Sequence, residues 1–433
     1  MYKSSDKLGL KNLTFYTLLL ALNISRGNSI MYIEPDYKER IKDDFPILSK
    51  TINGSRIVYL DSSATSLKPK TVLSKISDFY NNTTSNAYRG TSVLAESVTL
   101  ALTDVRTKVA DFIGANHQEI IFTSNATDAI NKLSLMLNLK KEDEVLTTVL
   151  EHHSNFLPWL ARASVKVVGL DENGDIDIGQ LESMITSDTK LVACSFVSNV
   201  TGNIQNVYRI IEICKKHSVL SLIDATQMAG HKPFNVKDMD CDFLVFSAHK
   251  MLGPSGVGVL YVHNRNFKNL TPAFYGGGMV DKITQSDIKY KAPPYCFEAG
   301  TPNIENLLGF GAAVDYINNV GIENISKYMD EIDEYLVSRM QKHSKIVFPF
   351  CINKSRLPIC TFGFKNRNID IGYVARLLSD SYGIILNSGY QCCQPLYNHY
   401  KVNGGIRISC YLYNTTQDID CLINALNELE FML

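Results

Sequence analysis

Apolar residues along this chain fall into short continuous runs separated by stretches of helical spacing. Strand-like runs occupy Glu119 to Thr123, Val145 to Val149, Val165 to Leu170, Leu191 to Ser195, Val219 to Ile223, Phe243 to Ser247 and Val257 to His263. Runs this short, with little polar alternation, read as strands covered on both faces. Between them lie helical patterns such as Val207 to His217. The rhythm predicts an α/β fold: a mainly parallel sheet clothed by helices, with ligands bound at the carboxyl ends of its strands. After about residue 325 the texture changes to a smaller α/β region.

The first residues differ again. Lys3, Lys7 and Lys11 precede the apolar run Leu13 to Leu22. That run is too short to span a bilayer but suits the hydrophobic part of a signal sequence. Residues 1–36 are expected to be a targeting leader or an N-terminal extension, with no stable membrane insertion.

Composition narrows the chemistry. With 433 residues and 45% hydrophobic content, the chain can bury a large core. Forty-three basic against 44 acidic residues create no overall field for nucleic acid or an anionic membrane. The ten cysteines show no CxxC pair and no metal-ligand spacing with histidine, so neither a disulfide framework nor a metal site is expected.

Lys250 follows a buried strand in Phe246-Ser247-Ala248-His249-Lys250-Met251-Leu252-Gly253-Pro254-Ser255-Gly256. Desolvation there lowers an ammonium pKa toward the nucleophilic amine that Schiff-base chemistry needs. Ser247 and His249 add polar hydrogens, and the glycines let the backbone close around an anionic phosphate. Asp224, ending the strand Val219 to Ile223 and followed by Gln227, is placed to hold a protonated pyridine nitrogen. Ser124 to Asp128 opens a helical pattern whose free N–H groups and Thr127 hydroxyl form a phosphate cradle. In this order, the three features point to pyridoxal 5'-phosphate.

The residues now resemble a known family, the class V, fold-type I pyridoxal-phosphate enzymes, and within it the Suf-type (group II) cysteine desulfurases and selenocysteine lyases. The resemblance rests on Tyr59 to Ala64, Arg89-Gly90, Glu151-His152-His153-Ser154-Asn155, Ser198 to Gly202, Phe246 to Gly258, Phe297 to Asn303 and Arg407-Ile408-Ser409. It implies a large cofactor-binding domain over residues 37–325, whose first part joins the small domain in one variant of the scheme. A smaller C-terminal α/β domain over 326–433 would carry the catalytic cysteine loop. It makes Lys250 the cofactor lysine, Asp224 the partner of the pyridine nitrogen, Gln227 a partner of the phenolic oxygen and His152 the imidazole stacked on the ring. Thr127, Ser247 and His249 become phosphate ligands. Thr301 is expected to reach the phosphate of the other subunit, so a homodimer is implied.

Cys392, in Asn387 to Leu396, aligns with the nucleophilic cysteine of the family, and Cys393 stands where relatives usually carry a small residue. Arg407 is the expected clamp for the substrate carboxylate, with Asn199 as a further substrate contact. Tyr88, Ala126, Phe196, Asn387, Tyr390 and Gln391 depart from the family pattern and leave the docking of the Cys392 loop open. The resemblance implies conversion of L-cysteine to L-alanine with a persulfide on Cys392, supplying a Suf-type acceptor protein for iron–sulfur cluster assembly. Selenocysteine lyase and a weakly active scaffold are the alternatives. A leader on such an enzyme fits a plastid-like organelle such as an apicoplast, with the cytoplasm as the alternative.

Overall fold

A computed structural model of the chain describes residues 41–429 except Arg89. The leader expected over residues 1–36 lies outside the described residues. Seven strands form the main sheet: β1 (Ile120–Thr123), β2 (Glu144–Thr148), β3 (Ser164–Val168), β4 (Thr189–Ser195), β5 (Leu220–Asp224), β6 (Phe243–Ser247) and β7 (Gly258–Val262). Their order is β1-β7-β6-β5-β4-β2-β3. Strands β3, β2, β4, β5 and β6 pair in parallel. Strand β7 runs antiparallel between β6 and β1. All seven runs expected from the sequence therefore enter one sheet, with ends shifted by at most two residues.

The continuous apolar runs have a direct cause. All five residues of β6 are buried. Phe243 and Val245 join the core on one face, while Leu244 and Phe246 join the core on the other. Successive side chains of a strand point to opposite faces, so a sheet covered on both sides needs apolar residues at every position. On one face the helix Ile304–Val320 packs against Lys70–Asp78 and Val93–Ile113. Gly311 permits the approach, because a Cβ there would lie 2.6 Å from Val105 Cγ2.

A second sheet is built from β8 (Ile346–Val347), β9 (Ile359–Phe364), β10 (Asn387–Gly389) and β11 (Gly405–Ser409), in the order β8-β9-β11-β10. Its pairings are antiparallel. The segment Val58–Tyr59 pairs in parallel with Ile384–Ile385, and Asp61 bridges Ser409. The early chain thus lies beside the C-terminal sheet before it enters the main one. Among the described residues, no helix is long and apolar enough to cross a membrane.

Candidate active site

The carboxyl ends of the main strands face β10 and β11 across a cavity of about 690 Å³. Thr127, His152, Asn199, Asp224, Gln227, Ser247, His249, Lys250, Cys392 and Arg407 all line it. Thr301 does not. It lines a second cavity of about 430 Å³ with Tyr295, Gly277 and Lys291, and Gly256 belongs to the walls of both.

The phosphate end is built from the start of the helix Ala126–Met136. Its N-cap is Asn125, whose side chain accepts from Asp128 N. Thr127 therefore sits in the first turn with its hydroxyl free of capping, 2.6 Å from Ser154 Oγ. Ala126 N donates to Ser247 Oγ at 2.8 Å, tying the helix start to the end of β6. Gly258 makes this contact of elements possible, since a Cβ there would lie 2.5 Å from Asn125 Cα. A helix N-terminus flanked by hydroxyls suits a phosphate.

Lys250 ends the single turn Ala248–Lys250 after β6. Burial, then the charge of Arg407, lowers its ammonium to about 8 against the opposing pull of Asp224. About a tenth of the group is then the free amine at pH 7, far more than for an ordinary lysine. Asp224 ends β5, and its Oδ1 accepts from Thr226 N at 2.9 Å. Burial raises its carboxyl while Thr226 and Lys250 oppose the rise. Gln227 Nε2 donates to Ser63 O at 3.0 Å.

His152 is held by Ser154, whose backbone N donates to Nδ1 at 3.1 Å. With Nδ1 accepting, the neutral ring carries its proton on Nε2. Burial, then the charge of Lys250, lowers its pKa to about 3, so the ring is neutral at physiological pH. The adjacent Glu151 is fully buried at the junction of β2 and β4. It accepts from Thr148 Oγ1, Ser195 N, Ser195 Oγ and Asn155 Nδ2.

Arg407, on β11, donates from Nη1 to Asn199 O at 3.1 Å and from Nη2 to Asp61 Oδ1 at 2.9 Å. Asn199 meets the guanidinium with its backbone; its side chain donates instead to Gln391 O at 2.9 Å. Cys392 is exposed and Cys393 is buried, with its Sγ 3.7 Å from Val149 O. Burial pushes the Cys393 thiol far up.

Four buried polar atoms on the wall of this one cavity find no protein partner: Ser63 Oγ, Thr226 Oγ1, Gln227 Oε1 and Arg407 Nε. Buried polar groups are satisfied as a rule. Their convergence marks the space of a polar ligand, and a cradle, a buried carboxylate and a depressed lysine fit pyridoxal phosphate. Residue-type reasoning passed over Ser63, Ser154, Thr226 and Asp61, although each lies in or beside a recognised segment. It also passed over Lys68, which donates to His249 O at 2.9 Å and braces the Lys250 turn. Burial lowers the Lys68 ammonium to about 7.

Residues 58–422 match the aminotransferase class-V family. A probable cysteine desulfurase of Halalkalibacterium halodurans is 37% identical over 90% of this chain and 97% of its own length. A cysteine desulfurase of Wigglesworthia glossinidia brevipalpis is 34% identical over 91% of this chain and 98% of its own. The apo structure of a cysteine desulfurase from Thermococcus onnurineus superposes with a TM-score of 0.85 at 31% identity, covering 91% of this chain and 98% of that one. The cavity, its lysine and the match across most of the chain agree: this protein belongs to the aminotransferase class-V family of fold-type I pyridoxal-phosphate enzymes.

Proposed function

We propose that the protein is a cysteine desulfurase that converts L-cysteine to L-alanine and leaves a persulfide on Cys392. The sulfur then passes to a Suf-type acceptor protein for iron–sulfur cluster assembly. One observation carries the reading: an exposed thiol, Cys392, shares a cavity wall with Lys250 and Arg407. Relatives of matching length named as cysteine desulfurases support it.

Bound pyridoxal phosphate supplies an electron sink that acidifies the substrate Cα proton. Thr127, Ser247 and His249 would hold its phosphate, Asp224 its ring nitrogen and Lys250 its carbonyl carbon. Arg407 binds the substrate carboxylate through N–H groups left over from Asp61 and Asn199. Lys250, lowered to about 8, accepts the Cα proton and returns it. Neutral His152 would cover the ring without adding a charge. The Cys392 thiolate attacks the substrate sulfur; the new S–S bond forms as the Cβ–S bond breaks, and the electron pair leaves with Cβ. Cβ then takes a proton, so cysteine plus thiol gives alanine plus persulfide.

In the same proposal the enzyme is a homodimer in which Thr301 serves the partner's phosphate. Its position in a cavity apart from Lys250 supports that reading. Residues 1–36 act as the leader to a plastid-like organelle, a reading supported by the lysines and apolar run of the sequence. The test is stoichiometric: the pyridoxal-phosphate-loaded protein with L-cysteine yields one alanine per sulfur transferred, and mass spectrometry finds the persulfide on Cys392. Absence of alanine sinks the desulfurase reading.

A further inference from the structure

We propose that Gln391 is a positioning residue that pins the Cys392 loop to the strand carrying the carboxylate clamp. The inference rests on the desulfurase reading for what the pin achieves, and on geometry alone for the pin itself.

Gln391 is buried, at 9% exposure, directly before an exposed cysteine. Its carboxamide is used at both ends: Nε2 donates to Gly405 O at 3.1 Å, and Oε1 accepts from the Tyr397 hydroxyl. Its backbone carbonyl accepts from Asn199 Nδ2. Gly405 lies on β11 two residues before Arg407. Tyr397 is fully buried on the short helix that follows the loop and packs edge-on against Phe350 and Tyr390. Asn199 is the residue whose carbonyl holds Arg407 Nη1. Gln391 thus joins the thiol-bearing loop to three elements, two of which also position the guanidinium.

The backbone needs such a pin. Gln391 and Cys392 have φ of 44° and 56°, two consecutive left-handed residues without glycine. L-residues adopt that conformation at a cost, and it persists where surrounding contacts hold it. Held there, Cys392 faces the cavity while Cys393 is turned inward to Val149. The carboxamide supplies a donor for the Gly405 carbonyl and an acceptor for the Tyr397 hydroxyl from one side chain. A glutamate keeps the second bond and sets an anion against the first.

The test uses the full chain loaded with pyridoxal phosphate, as wild type, Gln391→Ala, Gln391→Glu, Tyr397→Phe and the Gln391→Ala/Tyr397→Phe double variant. Amide hydrogen exchange in the peptide 387–394 should accelerate about fivefold or more in each single variant, as expected when one net hydrogen bond is lost. Single-turnover persulfide formation on Cys392 should slow about tenfold in Gln391→Ala, while half-saturation by L-cysteine, read from visible absorption, shifts less than about threefold. The double variant should be no slower than Gln391→Ala by more than about twofold, because both changes remove the same contact. Unchanged exchange, or an unchanged persulfide rate, overturns the proposal; so does a parallel loss of cysteine binding and thermal stability, the mark of a merely structural residue. A wild type that forms no persulfide overturns the desulfurase reading instead, and the exchange comparison then decides the pin alone.

Discussion

Asn387 and Arg407 stand directly opposite each other in the antiparallel pair of β10 and β11, and both reach the same carboxylate. Arg407 Nη2 donates to Asp61 Oδ1 at 2.9 Å and Asn387 Nδ2 to Oδ2 at 3.4 Å. The proposed clamp for the substrate carboxylate is therefore held by Asp61 and Asn199 on the wall of the cavity. A lysine has the charge but not the fork, and its ammonium cannot serve Asp61, Asn199 and a carboxylate in fixed geometry. Arg407→Lys should raise the half-saturation concentration for L-cysteine by about tenfold to a hundredfold, the loss of one or two charge-assisted hydrogen bonds. Titration of the visible absorption with L-cysteine measures it. An unchanged half-saturation removes Arg407 from the clamp.

Lys250 supplies a direct check on the cofactor. The purified protein should be yellow, and borohydride reduction followed by peptide mapping should find the cofactor on Lys250. Lys250→Ala should bind pyridoxal phosphate without a reducible bond. Label on Lys68, a neighbouring lysine whose pKa burial also depresses, would move the assignment there.

The sheet was legible because strands buried on both faces show as unbroken apolar runs; β6 is read to its ends, Phe243 to Ser247. The site was legible where chemistry dictates residue type at a strand end, as for Asp224 and Lys250. Less visible were residues that act through another side chain. Ser154 meets His152 Nδ1 with its backbone N–H, which any residue but proline offers, and with its hydroxyl at 2.9 Å, a pairing that depends on the local turn and not on residue type alone. Asp61 meets Arg407 across 346 positions of sequence, and only the pairing of Asp61 with Ser409 brings them together. The docking of the Cys392 loop was hidden for the same reason: Gln391 works through Gly405 and Tyr397, and neither neighbour is special in the sequence.

Glu151 gives a prediction in pH. Full burial raises its carboxyl from 4.5 to about 7, against four hydrogen bonds that favour the anion. A group whose folded pKa lies above its unfolded value contributes stability that is present below the unfolded pKa and is lost as pH rises through the folded one. Its contribution should fall between pH 4.5 and 7, by on the order of 3 kcal/mol. Glu151→Gln cannot titrate, so the stability difference between wild type and variant should move against the wild type across that window. Urea midpoints at several pH values on the two proteins measure it. Parallel pH profiles would show that Glu151 does not titrate there.

The paired thiols make the sharpest mutational contrast. Cys392 is exposed on the cavity wall, and its carbonyl accepts from His153 N at 2.7 Å, so its backbone is tied to the segment that carries His152. Cys393 is fully buried, and its thiol is pushed up by burial and by the nearby Glu151. A buried thiol that stays protonated is a poor nucleophile, whereas Cys392 is open to the cavity whose wall it shares with Lys250 and Arg407. Cys392→Ala should keep the cofactor and bind L-cysteine, because Lys250, Asp224 and Arg407 are untouched, yet lose persulfide formation by about a hundredfold or more, as expected for removal of a nucleophile. Cys393→Ala should keep most of the activity and lose about 1 kcal/mol of stability, the cost of deleting one buried sulfur from a packed site. Mass spectrometry of both variants after a single turnover separates the roles: persulfide on Cys393 with normal alanine release in Cys392→Ala would assign the chemistry to the buried thiol and require the loop to shift its register by one residue.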